Sequence, residues 1–178
     1  MIFFGHLGPT LAVVKTGDKL VSKRYNKNKI DYRMVLLGSD LPDIIDKPIA
    51  ILFRSVFNNT RLFGHTLLLT LILFLIGIFI GFKHKNFKNN FIILSVGCSI
   101  HLILDSMWNF KTILFWPLYG IRFPVRTDTN WAGDDFHRLL TDPVYYGMEL
   151  LGLSILIYFF VNLIRKGKLK NFLRTGEL

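Results

Sequence analysis

His101 and Asp105 stand four residues apart in HLILD, inside the apolar run 91–108. Four residues make about one helical turn, so an imidazole and a carboxylate leave the same face of a single helix. An ionisable residue in a stretch greasy enough for a bilayer is costly to hold there and marks a functional site by default. Imidazole nitrogen and carboxylate oxygen suit zinc and similar divalent ions, whose charge offsets the cost of burying carboxylates. The pair reads as half of a metal site.

Other residues of ligand type recur in equally apolar surroundings. His6 lies in MIFFGHLGPTLAVV, and Asp40, Asp43 and Asp46 fall within seven residues of MVLLGSDLPDIID. Asp40 and Asp43 share a face if a helix passes through Pro42, but a proline there is expected to end or kink it. An Asp40 that merely caps the next helix is the plain alternative. His65 opens the apolar run 67–82, and Glu149 lies in the first turns of the run 144–164. The expected metal ligands are therefore His6, Asp40, Asp43, His65, His101, Asp105 and Glu149, with Asp40, Asp43 and Glu149 as candidate catalytic carboxylates. This set exceeds the four ligands of one tetrahedral zinc, so one or two divalent ions are expected, and two would favour phosphoryl or ester hydrolysis by a metal-activated water. Arg61, a turn before His65 if the helix starts early, is the expected substrate-binding residue, since its fork matches two phosphate oxygens. An arginine that only snorkels to the interface is the alternative. His137 in DDFHRLLTD reads as a solvated loop residue or as an acid for a leaving group, and His84 as solvated.

The elements that must position these groups follow from composition. The chain has 178 residues, 51% hydrophobic, with a mean hydropathy of +0.40. That is one domain, 1–178, and too apolar for an ordinary soluble fold. One cysteine, Cys98, excludes an internal disulfide framework and a Cys-rich zinc cage. The net charge of +10 would suggest nucleic acid if it covered one face. Instead fifteen of the 22 Lys and Arg fall in the stretches 15–33, 83–90 and 165–178, a split that positive-inside topology explains and nucleic-acid binding does not.

Five apolar segments then run from an outside N-terminus to an inside C-terminus: 1–20, 32–46, 64–82, 91–108 and 144–164. A mixed interfacial helix is expected over 47–57, an aromatic and proline-containing loop over 111–143, and a basic cytoplasmic tail over 165–178. With all three basic stretches inside, every expected ligand falls near the outer end of its segment. The fold class that results is all-α, a multi-pass transmembrane bundle with short or broken helices around an outer-side metal site. Met107 and the other methionines read as core.

His6, LLGSDLPDIID, RLFGHTLL, HLILDSM with the following FWPL, and the late Glu149 together resemble the membrane-bound metal-dependent hydrolases, also described as LexA-binding inner-membrane-associated hydrolases. The resemblance covers most of the chain and implies a multi-pass membrane protein with metal-dependent hydrolase activity. More distantly the chain is similar to the all-helical zinc enzymes of the phospholipase C and single-strand nuclease group, which use a His-x-x-x-Asp pair and a late His-x-x-x-Glu pair. His101 and Asp105 match the first pair, but Tyr145 stands where the second would place a histidine. That departure implies fewer than three zinc ions.

The expected function is hydrolysis of a phosphoester or lipid-linked substrate, with membrane lipid as the partner. Two other readings compete: a non-catalytic membrane protein with a structural or regulatory polar site, and a metal transporter. Transport would string ionisable groups through both halves of the spans, and the inner halves 69–80, 91–97 and 155–164 are almost bare of them.

Overall fold

A computed structural model of the chain describes residues 3–22, 30–83, 90–126 and 131–178. The described residues form helices and connecting turns, without strand: α1 (Phe4–Ser22), α2 (Tyr32–Leu52), α3 (Arg54–Phe57), α4 (Leu67–Lys83), α5 (Asn90–Leu104), a 3-10 turn (Met107–Asn109), α6 (Lys111–Leu114), α7 (Trp131–Thr141), α8 (Pro143–Arg165) and α9 (Leu169–Thr175). Of the polar loop expected at 22–29, Ser22 ends α1 and the rest lies outside the described residues, as does His84 in the basic turn.

Local chemistry sets the helix starts. Asp31 begins α2 by accepting from the Arg33 N–H at 3.0 Å, and Asp142 begins α8 by accepting from the Val144 N–H at 2.9 Å, with Pro143 at the first helical position. Beyond α5, Ser106 takes a left-handed conformation at φ 53° and turns the chain into the 3-10 segment.

Helix α2 runs unbroken through Pro42 and Pro48, so the break expected at Pro42 does not occur. Pro42 brings no N–H to the Gly38 carbonyl and loosens the ladder at that level. One residue on, the Ser39 carbonyl accepts from the His101 ring instead, at 2.6 Å. The same continuity absorbs most of the interfacial helix expected over 47–57, of which only the single turn α3 stands apart. Unbroken α2 also puts Asp40, Asp43 and Asp46, each three residues from the next, in one buried stripe.

Two crossings of small residues bring the helices together. Gly38 of α2 meets Gly97 of α5, where a Cβ on Gly97 would fall 2.8 Å from the Gly38 carbonyl carbon. Gly8 of α1 meets Gly152 of α8, where a Cβ on either would overlap the other helix's backbone. Close backbone approach of this kind is a common way for helices to associate in lipid. Each crossing lies within four residues of an expected ligand, namely His101 and Glu149 with His6.

Leu11, Tyr32, Val35, Leu156, Phe159, Leu163 and Phe172 form one core cluster, at the basic end of the bundle. A smaller cluster of Leu102, Met107, Ile113 and Leu114 lies beside the end of α5. Phe172 belongs to α9, so the 165–178 stretch read as a tail folds back on the bundle. Tyr32 N–H donates to the Gly176 carbonyl at 2.9 Å there. Among the described residues, α8 alone is a helix long and apolar enough to cross a membrane; α4 and α5 are apolar but shorter.

Candidate metal centre

The ends of α1 and α5, the middle of α2 and the turn before α4 converge on a buried group of imidazoles and carboxylates. His6, His65 and His101 are each 0% exposed, and Asp43 is 7% exposed. Two overlapping triads, His6–Asp43–His101 and His65–His101–Asp105, offer ligand atoms within 4.8 Å of one another. His6 and His101 stack with ring centroids 4.0 Å apart. His65 Nε2 lies 3.6 Å from Asp43 Oδ1 and 3.7 Å from Asp105 Oδ2, and His6 Nε2 lies 3.3 Å from Asp105 Oδ1.

Hydrogen bonds on the far side of two rings fix what the near side presents. His65 Nδ1 meets Asp46 Oδ2 at 2.7 Å, and His101 Nδ1 meets the Ser39 carbonyl at 2.6 Å. A carboxylate and a carbonyl can only accept, so each Nδ1 carries the proton, and a ring in its neutral form turns an Nε2 lone pair inward. Those two Nε2 atoms lie 3.3 Å apart. Two lone pairs cannot hydrogen-bond to one another, but two nitrogens at 2.0–2.1 Å from one tetrahedral zinc would themselves stand ~3.3 Å apart. Neither nitrogen of buried His6 makes a hydrogen bond. The donor set therefore fits a divalent cation.

Such a group, on a chain with a helix fit to span a bilayer, can be set beside known proteins. The family model of YdjM inner membrane proteins matches residues 1–169. The chain belongs to the YdjM inner membrane protein family. No curated protein and no solved structure matches the chain. Family membership makes this a membrane protein, which is the membrane part of the expected resemblance. The YdjM description carries a location and no reaction, so the hydrolase and phospholipase C relations gain no support from it.

In this YdjM-family chain the expected ligands do not all stand in the same place. Asp40 is buried beside the triads with an Oδ1 that makes no hydrogen bond, within reach of the charges of Asp43, His6 and Glu149. Glu149 accepts from the Phe4 N–H at 2.8 Å and the Phe3 N–H at 3.3 Å, satisfying the start of α1. Neither is in a triad. Arg61 is not on a helix: it lies in the turn before α4, as does His65. Its Nε donates to Asp105 Oδ2 at 3.1 Å, and its guanidinium lies 4.7 Å from the centre of the Phe110 ring. His6 and Arg61 thus flank the Asp105 carboxylate, one on each oxygen. His137 is exposed and belongs to neither triad; it stands on helix α7 rather than in the loop expected there.

Asp46 is the residue that sequence reasoning left without a role. It is 0% exposed and accepts backbone N–H groups of Leu62, Gly64 and His65 at 2.6, 2.7 and 3.2 Å, besides the His65 ring. One carboxylate thus ties the turn 62–65 to α2 and orients an imidazole, the arrangement by which a second carboxylate holds a ligating histidine. A period of three from Asp40 and Asp43 was the available signal.

Proposed function

We propose that the chain is a membrane-embedded, metal-dependent hydrolase of a lipid-borne phosphoester, with a single divalent cation held by His6, His65, His101, Asp43 and Asp105. The observation that carries this reading is the pair of inward Nε2 atoms 3.3 Å apart, on two rings whose Nδ1 atoms are each held by a hydrogen bond on the far side. One ion rather than two follows from His101. Both triads need its Nε2, its Nδ1 is taken by Ser39, and one imidazole nitrogen holds one ion. Zinc suits a set of imidazoles and carboxylates, as do its neighbours among divalent transition metals.

A bound divalent cation supplies Lewis acidity and acidifies water toward neutral pH. The chain's own residues do the rest. Asp40, buried with a spare carboxylate oxygen, takes the proton of the attacking water. Asp43, bound to Lys47 at 2.7 Å, is held in place as a ligand. Arg61 gives its Nε–H to Asp105 and has its Nη groups for phosphate oxygens. Glu149 has the positioning role of fixing α1, and with it His6, rather than a catalytic one.

The surroundings support a substrate that arrives in the membrane. Phe63, Phe57, Trp116 and Phe123 pack ring on ring over the turn that carries Arg61 and His65. Asn58 and Asn59 tie that turn to the Arg126 and Pro124 carbonyls at 2.7 Å each. On the same loop Leu118 and Ile121 are 85% and 79% exposed, apolar side chains suited to the acyl boundary of an outer leaflet. In this reading α1, α2, α4, α5 and α8 cross the bilayer, the site faces outward and the C-terminus lies in the cytoplasm.

The test is release of phosphate or phosphorylated headgroup from phosphatidyl lipids and lipid diphosphates in mixed micelles by the zinc-loaded protein. Activity should disappear with a chelator and return with metal. Asp40→Asn should keep the metal and lose about 10²–10⁴-fold in rate, the usual size of a lost general base. A fully metal-loaded wild type that turns over none of these phosphoesters contradicts the reading.

A further inference from the structure

A groove of about 620 Å³ lies between α1 and α8, away from the histidines. Its apolar lining includes Leu11, Ala12, Ile155 and Phe159, and Lys15 and Lys19 line it one helical turn apart on α1. The Lys15 ammonium stands 5.0 Å from the centre of the Phe159 ring, so one cation already rests over the apolar floor. Asp18, on the same helix, accepts from the Tyr32 hydroxyl at 2.8 Å.

Depth and charge select the occupant. At 1.5 Å per residue, Lys19 lies ~22 Å along α1 from Phe4, toward the basic end of the bundle, and Leu11 lies ~12 Å back from it. A cavity of this volume is in the range of small-ligand sites. Its greasy length with cations at one end matches a lipid tail below a phosphate. Basic residues near the cytoplasmic surface attract the anionic lipids of that leaflet.

We propose that this groove seats one anionic phospholipid, an acyl chain against Leu11, Ala12, Ile155 and Phe159 and the phosphate on Lys15 and Lys19. The site is separate from the metal centre and does not depend on the activity assigned to it. Native mass spectrometry of the detergent-purified full chain, offered equal phosphatidylglycerol and phosphatidylcholine, tests it. The wild type should retain phosphatidylglycerol preferentially, and Lys15→Gln with Lys19→Gln should lower that preference by about 25-fold, a factor of five per lysine. Ala12→Phe, which fills the floor, should lower retention of both lipids, and metal content should not change in any variant. No preference in the wild type, or an unchanged preference in the double variant, overturns the proposal. If the double variant does not fold by circular dichroism, undiminished retention by Ala12→Phe overturns it. Disulfide cross-linking of two copies through Ser154→Cys in place of a lipid adduct also overturns it, by assigning the groove to a second copy of the chain.

Discussion

Asp46 shows how much of the centre is held by residues that are not ligands. Its carboxylate takes three backbone N–H groups and one imidazole N–H, all buried, and each buried donor left without a partner costs about 1–3 kcal/mol. Asp46→Ala should therefore lower the midpoint of thermal unfolding well below that of Asp43→Ala, whose carboxylate meets the Lys47 ammonium at 2.7 Å and one imidazole edge at 3.6 Å. Asp46→Asn keeps the shape but loses the charge that orients His65, and metal affinity measured by competition with a chelator should fall about 10–100-fold. At this scale the sequence was informative about side chains and silent about backbone. The four-residue spacing of His101 and Asp105, and the histidines at 6 and 65, are visible in the letters alone. The Ser39 carbonyl that sets the His101 tautomer has no letter of its own.

Helices deliver these side chains to one place only if they cross where no side chain intervenes. Gly97 lies four residues before His101 and packs on Gly38, next to the Ser39 that His101 bonds. Gly97→Leu must push α5 off α2 and should abolish metal retention without any ligand being changed. Gly17, on the other hand, has nothing within 4 Å of where its Cβ would be. Gly17→Ala should stabilise by about 0.5–1 kcal/mol, the ordinary gain inside a helix, seen as a higher midpoint in thermal melts. Element existence was readable from the apolar runs at 67–82, 91–108 and 144–164. Element edges were not, because Pro42 argued for a break that the surrounding packing overrides, and because His65 is held by the Asp46 carboxylate in a turn rather than in the first turn of α4. In what read as an aromatic and proline-containing loop, the four residues of α6 are too few for a periodic signal, whereas the eleven of amphipathic α7 are enough to carry one that the reading passed over.

For the whole molecule, Lys15 and Lys19 of α1 and Arg165 of α8 lie toward the opposite helix ends from His6 and Glu149, and membership of an inner-membrane family turns that asymmetry into a question of sidedness. Cys98 is buried and silent, so in a Cys98→Ala background a cysteine at exposed Leu118 should react with an impermeant thiol reagent applied from outside. One at Lys168 should react only after the membrane is opened. Labelling of Lys168→Cys from outside would reverse the topology and put the centre on the cytoplasmic face. The central claim is narrower than topology: far-apart helices converge because one cation neutralises them. Elemental analysis of the detergent-purified wild type beside His101→Ala with Asp105→Ala measures it directly. The expected result is close to one divalent ion per chain, lost in the variant. Two ions in the wild type would refute the single-ion centre, and equal metal in both proteins, or none in the wild type after loading with zinc, would refute the centre itself.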